Sequence, residues 1–259
     1  MPFCTSYARG PPLSTDRIRA IAGRIVRQFR RDRRTVGMVF VVPMVVLTLI
    51  AVSLPQVATP VRLLDFLAPA LLAALAFFFV FILTGISFLR ERSQGTLERL
   101  MATPVSRADI VLGYMGGFLL FACLQSLVVL LFTVFVLQVN YIGPLWQIFV
   151  FLMLITVGAV NTGIFFSVFA RNEFQVVQFI PLVIIPQLLL AGVMWPVEQM
   201  PGYLQTVSRF LPLTYAVRGL RAIMIEGRGL ASLGLELSVL VAFAGLMVIL
   251  AVGTLRRGT

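Results

Sequence analysis

The chain has no lysine and no histidine among its 259 residues, only ten acidic residues and only two cysteines. Each shortage excludes a class of chemistry. Without histidine there is no imidazole to ligate a metal, act as a general base or complete a Ser-His-Asp triad. Without lysine there is no phosphate-binding loop of the Walker A kind, whose ammonium group must reach the β- and γ-phosphates of a nucleotide. Cys4 and Cys123 fall one in the N-terminal tail and one inside an apolar run, which predicts two free thiols rather than a disulfide. What the chain has is apolar surface: 59% of residues are hydrophobic and 12% charged, with a mean hydropathy of +1.00. Soluble domains average roughly 45–50% and about 25%. The composition is that of an integral membrane protein. All 21 basic residues are arginine and the formal charge is +11, so what that charge means depends on where the arginines fall.

Six stretches are long enough to cross a hydrocarbon core, which takes about 20 apolar residues. They lie near 36–54, 66–89, 110–137, 145–169, 176–195 and 237–255, and none of them contains Asp, Glu or Arg. The longest remaining pieces, 1–35 and 196–236, are shorter than a domain of about 50 residues or more. The expected division is a tail with an amphipathic helix over 1–35 and a six-span transmembrane domain over 36–259. With the N-terminus inside, sixteen arginines fall in cytoplasmic pieces and five outside; the positive-inside rule then predicts both termini in the cytoplasm. Ala51-Val52-Ser53 has the small-x-small look of a signal cleavage site, but 35 residues precede the first span and five spans follow it.

Residues 16–34 read as an amphipathic helix. Ile18, Ile21, Ala22, Ile25, Val26 and Phe29 recur at the spacing of one helical face, and Arg17, Arg19, Arg24, Arg27, Arg30, Arg31 and Arg34 occupy the other. Ser14 or Thr15 is placed to cap it. The expectation is a helix lying in the membrane interface with its guanidinium groups toward anionic headgroups, either as an anchor or as a platform for a cytoplasmic partner. The arm is short and lacks interleaved aromatics, which argues against nucleic acid.

The loop over 90–109 is the most informative stretch. Gly95 should break the helix that leaves the second span, Thr96 can cap a short helix to about Ala102, and Pro104 helps to end it. Ser106-Arg107-Ala108-Asp109 then reads as a capping box with Asp in place of Glu. The run from Arg90 to Pro104, Arg-Glu-x-x-x-Gly-Thr-Leu-Glu-x-Leu-x-x-Thr-Pro, resembles the signature loop of ABC-2-type transporter permeases, the membrane subunits of ATP-binding-cassette exporters. Ala170-Arg171-Asn172-Glu173 and Leu211-Pro212-Leu213-Thr214-Tyr215 resemble further segments of that family.

The resemblance implies an all-α membrane protein of the ABC-2, type V exporter kind, working as a homo- or heterodimer of permeases. It implies an ABC ATPase subunit dimer as partner, with ATP and magnesium bound there and no cofactor in this chain. Glu91, Gly95, Thr96, Leu97, Glu98, Leu100, Thr103 and Pro104 would form the coupling loop, docking on the ATPases together with the N-terminal helix. Arg171, Asn172 and Glu173 would form a second cytoplasmic loop. The segment 196–236 reads as two short amphipathic helices dipping into the outer leaflet, with Arg209, Arg218, Arg221 and Arg228 snorkelling and Pro212, Thr214 and Tyr215 in an outer gate.

Intramembrane charges usually mark ion relays, and their absence from all six spans disfavours an ion-driven carrier. Polar groups at depth are neutral, among them Thr84, Gln178 and Gln187; most such groups serve as interhelical hydrogen bonds worth about 0.6 kcal/mol each. Phe78, Thr84, Gln178 and Gln187 are candidates to line a pathway. Gly113-x-x-x-Gly117 and Ala159-x-x-x-Gly163 are small-residue contact patterns. A neutral, aromatic lining suits a drug-like or lipid-like cargo; export of a lipid-linked polysaccharide and a non-transporting scaffold are the alternatives.

Overall fold

Asp32 is where the first helical stretch divides. In the computed structural model, which describes residues 13–55, 62–103 and 105–254, α1 runs Thr15–Arg31 and α2 runs Arg33–Ser53. The Asp32 N–H closes α1 by donating to the carbonyls of Gln28 and Phe29, and its carboxylate accepts from the Thr35 N–H to cap α2. The helix expected over 16–34 therefore stops at Arg31, because one aspartate both ends it and starts the next. Hydrogen bonding to Thr35, aided by the charge of Arg90, holds the Asp32 carboxyl below the usual aspartate range.

Beyond Ser53 the helices are α3 (Leu63–Ser93), α4 (Thr96–Met101), α5 (Arg107–Leu131), α6 (Leu145–Ser167), α7 (Glu173–Leu190), α8 (Gly202–Ser208), α9 (Pro212–Met224) and α10 (Gly234–Thr254). A π-turn, Phe132–Val136, prolongs α5. Among the described residues, six helices are long and apolar enough to cross a membrane: Thr35–Ser53, Leu63–Ser93, Ala108–Val136, Leu145–Ser167, Glu173–Leu190 and Gly234–Thr254. These coincide with the six expected spans, and the differences lie at polar ends. α3 reaches back past Asp65, whose carboxylate accepts the backbone N–H and side-chain amide of Asn140 at 3.0 and 2.8 Å. The fifth span, expected over 176–195, is shifted toward the N-terminus. Asn172 caps it by accepting from the Gln175 N–H, and it is finished by Ala191 and by Gly192 at φ +80°. α7 continues through both Pro181 and Pro186.

The core is built around α3, which touches α2, α4, α5, α6, α7 and α9. Small residues set the distances. A Cβ on Gly163 of α6 would overlap Thr84 Oγ1 and lie 2.7 Å from the Phe81 carbonyl, so α3 and α6 meet almost backbone to backbone. The partner of Gly113-x-x-x-Gly117 on α5 is α1. A Cβ on Gly113 would lie 2.7 Å from Ile21 Cβ, and one on Gly117 would lie 2.7 Å from Ile25 Cβ. Ile21, Ile25 and Phe29 are buried there, with the Phe29 ring 4.4 Å from that of Phe121 and 5.9 Å from that of Phe118. The apolar face expected to rest on lipid is instead covered by α5, because two glycines leave a groove of matching pitch.

Overpacking a close contact costs about 1–3 kcal/mol. Gly113→Ala and Gly117→Ala should each lower the thermal midpoint of the detergent-solubilised protein. Gly116→Ala should not, since a Cβ there meets only Ala22 Cβ at an ordinary 3.7 Å. Equal midpoints for all three variants would refute the α1–α5 contact.

Candidate functional site

The arginine-rich end of the bundle gathers α1, the end of α3, α4, the start of α5 and the start of α7. α3 stops at Ser93, and Gly95 then adopts φ +68°, a left-handed conformation that favours glycine. Open space surrounds its Cβ position, so the requirement is conformational rather than steric. The Gly95 carbonyl accepts from the Arg99 N–H to start α4. Thr96, expected to cap this helix, is its first residue, and no side chain caps α4, because Gly95 already occupies the capping position. Leu97 is buried, Leu100 and Met101 pack against the core at its edge, and Glu98 and Arg99 face outward. The Thr103 hydroxyl donates to the Leu100 carbonyl. Pro104 lies outside the described residues.

The capping box expected at the next helix is present. The Asp109 N–H donates to Ser106 Oγ at 3.0 Å, and the Ser106 N–H donates to Asp109 Oδ2 at 3.1 Å. Asp109 also accepts the backbone N–H of Ser14 at 3.0 Å and lies 3.6 Å from the Arg17 guanidinium. One buried carboxylate therefore caps α5 and fixes the start of α1. Ser14 stands at the N-cap of α1, yet it is its N–H and not its hydroxyl that makes the contact.

The central feature is the carboxylate of Glu91, only 4% exposed. Arg24 of α1 donates to Glu91 Oε2 at 2.6 Å and to the Tyr114 hydroxyl at 2.5 Å, and that hydroxyl donates onward to Glu91 Oε2 at 2.8 Å. Tyr114, on α5, is fully buried, with the Phe88 ring edge-on at 5.0 Å. The triad ties α1, α3 and α5 at one point, four residues before Gly95. Arg24, expected to face headgroups with the rest of its row, turns inward because Glu91 is a buried charge that needs a partner. Arg27 and Arg31 remain exposed and Ile18 is half-buried. Arg90 forms a bidentate pair with Glu173 at 2.7 and 3.1 Å, and Arg92 donates to the Val168 carbonyl. These contacts bring Asn172, the cap of α7, and exposed Arg171 to the same end.

The remaining candidates are dispersed. The Thr84 hydroxyl is sealed between α3 and α6, donating to the Val80 carbonyl at 2.8 Å. Phe78 is half-buried against Phe79, and Gln178 is exposed on α7. Gln187 is buried with its amide N–H given to the Val183 carbonyl. At the opposite end of the bundle Pro212 opens α9. Thr214 and Ser208 share a buried hydroxyl contact at 3.1 Å, and the Tyr215 hydroxyl donates to the Arg209 carbonyl. The apolar residues of 196–236 differ in burial: Val217, Leu220, Ile223 and Met224 are buried, whereas Tyr203, Val207 and Phe210 stand exposed.

Removing one member of a buried ion pair costs roughly 3–5 kcal/mol. Arg24→Ala should therefore destabilise the protein far more than Arg27→Ala or Arg31→Ala, and Tyr114→Phe should cost about 1–3 kcal/mol by leaving Glu91 short of a donor. Thermal unfolding of the four variants in one detergent tests the ranking, and indistinguishable midpoints would show that the triad carries no stability.

Residues 16–225 match the family described as ABC-2 type transporter. The chain is 30% identical over 169 residues to ABC transporter G family member 20 of Dictyostelium discoideum, covering 65% of this chain and 23% of that protein. It is 28% identical to the probable multidrug ABC transporter permease YbhS of Escherichia coli, over 56% of this chain and 39% of the relative. The linearmycin resistance permease protein LnrN of Bacillus subtilis is also 28% identical, over 62% and 41%. The chain thus spans well under half the length of these relatives. A family match over most of the sequence, six apolar helices and the helical loop after Gly95 lead to one assignment: this multi-pass membrane protein belongs to the ABC-2 type transporter family.

Proposed function

We propose that the chain is the membrane-spanning permease of an ABC exporter, in which two permease subunits enclose a pathway for a hydrophobic or amphipathic, drug-like or lipid-like cargo. ATP and magnesium bind and are turned over on a separate pair of ATPase subunits. The observation that carries this reading is the construction of the α4 end. Glu98 and Arg99 are exposed on a helix whose other side is buried, and Glu91, close behind it, is locked to α1 and α5. A push on α4 then reaches three helices together. The left-handed Gly95 gives the joint a defined angle, and Arg27 and Arg31 of α1 are exposed as well.

The arginine balance supports cytoplasmic termini in the cell membrane, with α8 and α9 at the outer side. The names of the bacterial relatives, a multidrug permease and a resistance permease, support a drug-like cargo. So does an apolar cavity of about 550 Å³ between α7 and α8, lined by Ile185, Leu189, Trp195 and Leu204, within the roughly 300–1,000 Å³ typical of small-molecule sites.

Purification in a mild detergent from the native membrane, followed by mass spectrometry, is expected to recover a stoichiometric ATPase with a Walker A loop. A clean preparation without one would favour the scaffold reading. Glu98→Arg is expected to lower transport at least about tenfold, equivalent to roughly 1.4 kcal/mol of docking free energy, without changing membrane insertion. Full transport by both Glu98→Arg and Gly95→Pro would remove α4 from the coupling path.

A further inference from the structure

Where α1 gives way to α2, a cavity of about 240 Å³ opens between α2 and α3. It is smaller than the roughly 300–1,000 Å³ of drug-sized ligand sites. Its two walls change character in the same direction. On α2 the lining passes from Thr35 to Met38 and Val42, and on α3 from Arg90 and Ser87 to Ile82 and Phe79. At 1.5 Å per residue these gradients run about 10 and 16 Å, which matches one leaflet of a hydrocarbon core about 30 Å thick. The apolar half is open sideways, since Met38 is 67% and Val42 40% exposed on a helix that is poorly covered along its length.

The charge at the polar mouth is lopsided. Residues 30–34 are Arg-Arg-Asp-Arg-Arg, and Arg30 and Arg31 are exposed directly beside the lining residues Phe29 and Asp32. Within the cavity, Asp32 is engaged in capping α2, and the charge of Arg90 is balanced by Glu173. The surplus is positive, from Arg30 and Arg31, and the apolar part of the cavity, about as long as one leaflet is deep, begins beside it. We propose that this cavity is a binding site for an anionic phospholipid of the cytoplasmic leaflet, with its phosphate at Arg30 and Arg31 and an acyl chain between α2 and α3. Clusters of arginine beside a cytoplasmic helix end attract anionic headgroups. Because the site straddles the α1–α2 junction, its occupant would brace the hinge at Asp32. Assignment of the leaflet rests on the proposed orientation, whereas the site itself does not.

The test uses the full chain in phosphatidylcholine nanodiscs doped with a phosphatidylglycerol probe carrying a diazirine midway along one acyl chain, or with the phosphatidylcholine probe of the same chain. Both leaflets hold probe, so the outcome is independent of orientation and of transport. After photolysis and peptide mass spectrometry, the anionic probe is expected to label residues 38–42 and 79–86 at least about fivefold more than the neutral one. Arg30→Gln with Arg31→Gln should abolish that excess while leaving labelling of α10 around Leu246 and Ile249 unchanged. Val42→Trp should reduce labelling at Phe79 by either probe. Equal labelling by the two probes in the unsubstituted protein would overturn the proposal, whatever the variants do. So would absence of label from both segments, the result expected if a second copy of the chain covers this wall.

Discussion

A single buried carboxylate organises the arginine-rich end of this protein. Glu91 has Arg24 and Tyr114 as its hydrogen-bond donors, and they come from two other helices. A charge so enclosed is tolerable only while both partners are in place. That condition fixes how far α1 slides along α5: with Arg24 at Glu91, Ile21 and Ile25 meet Gly113 and Gly117. It also fixes the base of α4, which leaves α3 just beyond the triad. Asp109 repeats the device on a smaller scale, joining the start of α1 to the start of α5.

The two ends of the bundle use arginine differently. Near Gly95, arginines are spent on specific partners: Arg24 on Glu91, Arg90 on Glu173, and Arg92 on a carbonyl. At the far end, Arg221 lies 4.4 Å from the centre of the Phe66 ring, and Arg218 lies 3.7 Å from an exposed Glu198. Burial lowers the Arg221 pKa from the ordinary arginine value, against the opposing pull of Glu198. The contrast fits an end that is mechanically fixed and an end whose helices α8 and α9 rest on surfaces, α9 on the core and α8 with its aromatic side uncovered.

Most of the span pattern was legible in the sequence, because a run of about 20 apolar residues has few other uses. The capping box at Ser106 and the break at Gly95 were legible too, since both are decided within four residues. What sequence could not supply was partnership. The stripe of Ile18, Ile21, Ile25 and Phe29 declares a buried face without saying whether lipid or protein buries it, and Gly113-x-x-x-Gly117 declares a groove without its occupant. These were two halves of one interface, separated by some ninety residues. Arg24 was one arginine among seven on the same face, and Tyr114 was one ring within an apolar span. Neither stands out until the fold brings them to Glu91. The same limit applies inside the bundle, where Thr84 and Gln187 look alike as polar residues at depth but sit in different surroundings.

α3 has a further consequence. Its 31 residues form an unbroken helix, about 46 Å long at 1.5 Å per residue, which exceeds the hydrocarbon core by roughly half. It is held at one end by the Glu91 triad and at the other by Asp65 against Asn140. A stiff rod converts rotation into displacement: pivoting by about 5° about the Glu91 triad would carry the opposite end about 4 Å, the rise of roughly two to three residues. Its length in excess of the hydrocarbon core is therefore a lever arm, with the Gly95 joint at one end and the Asp65 contact at the other.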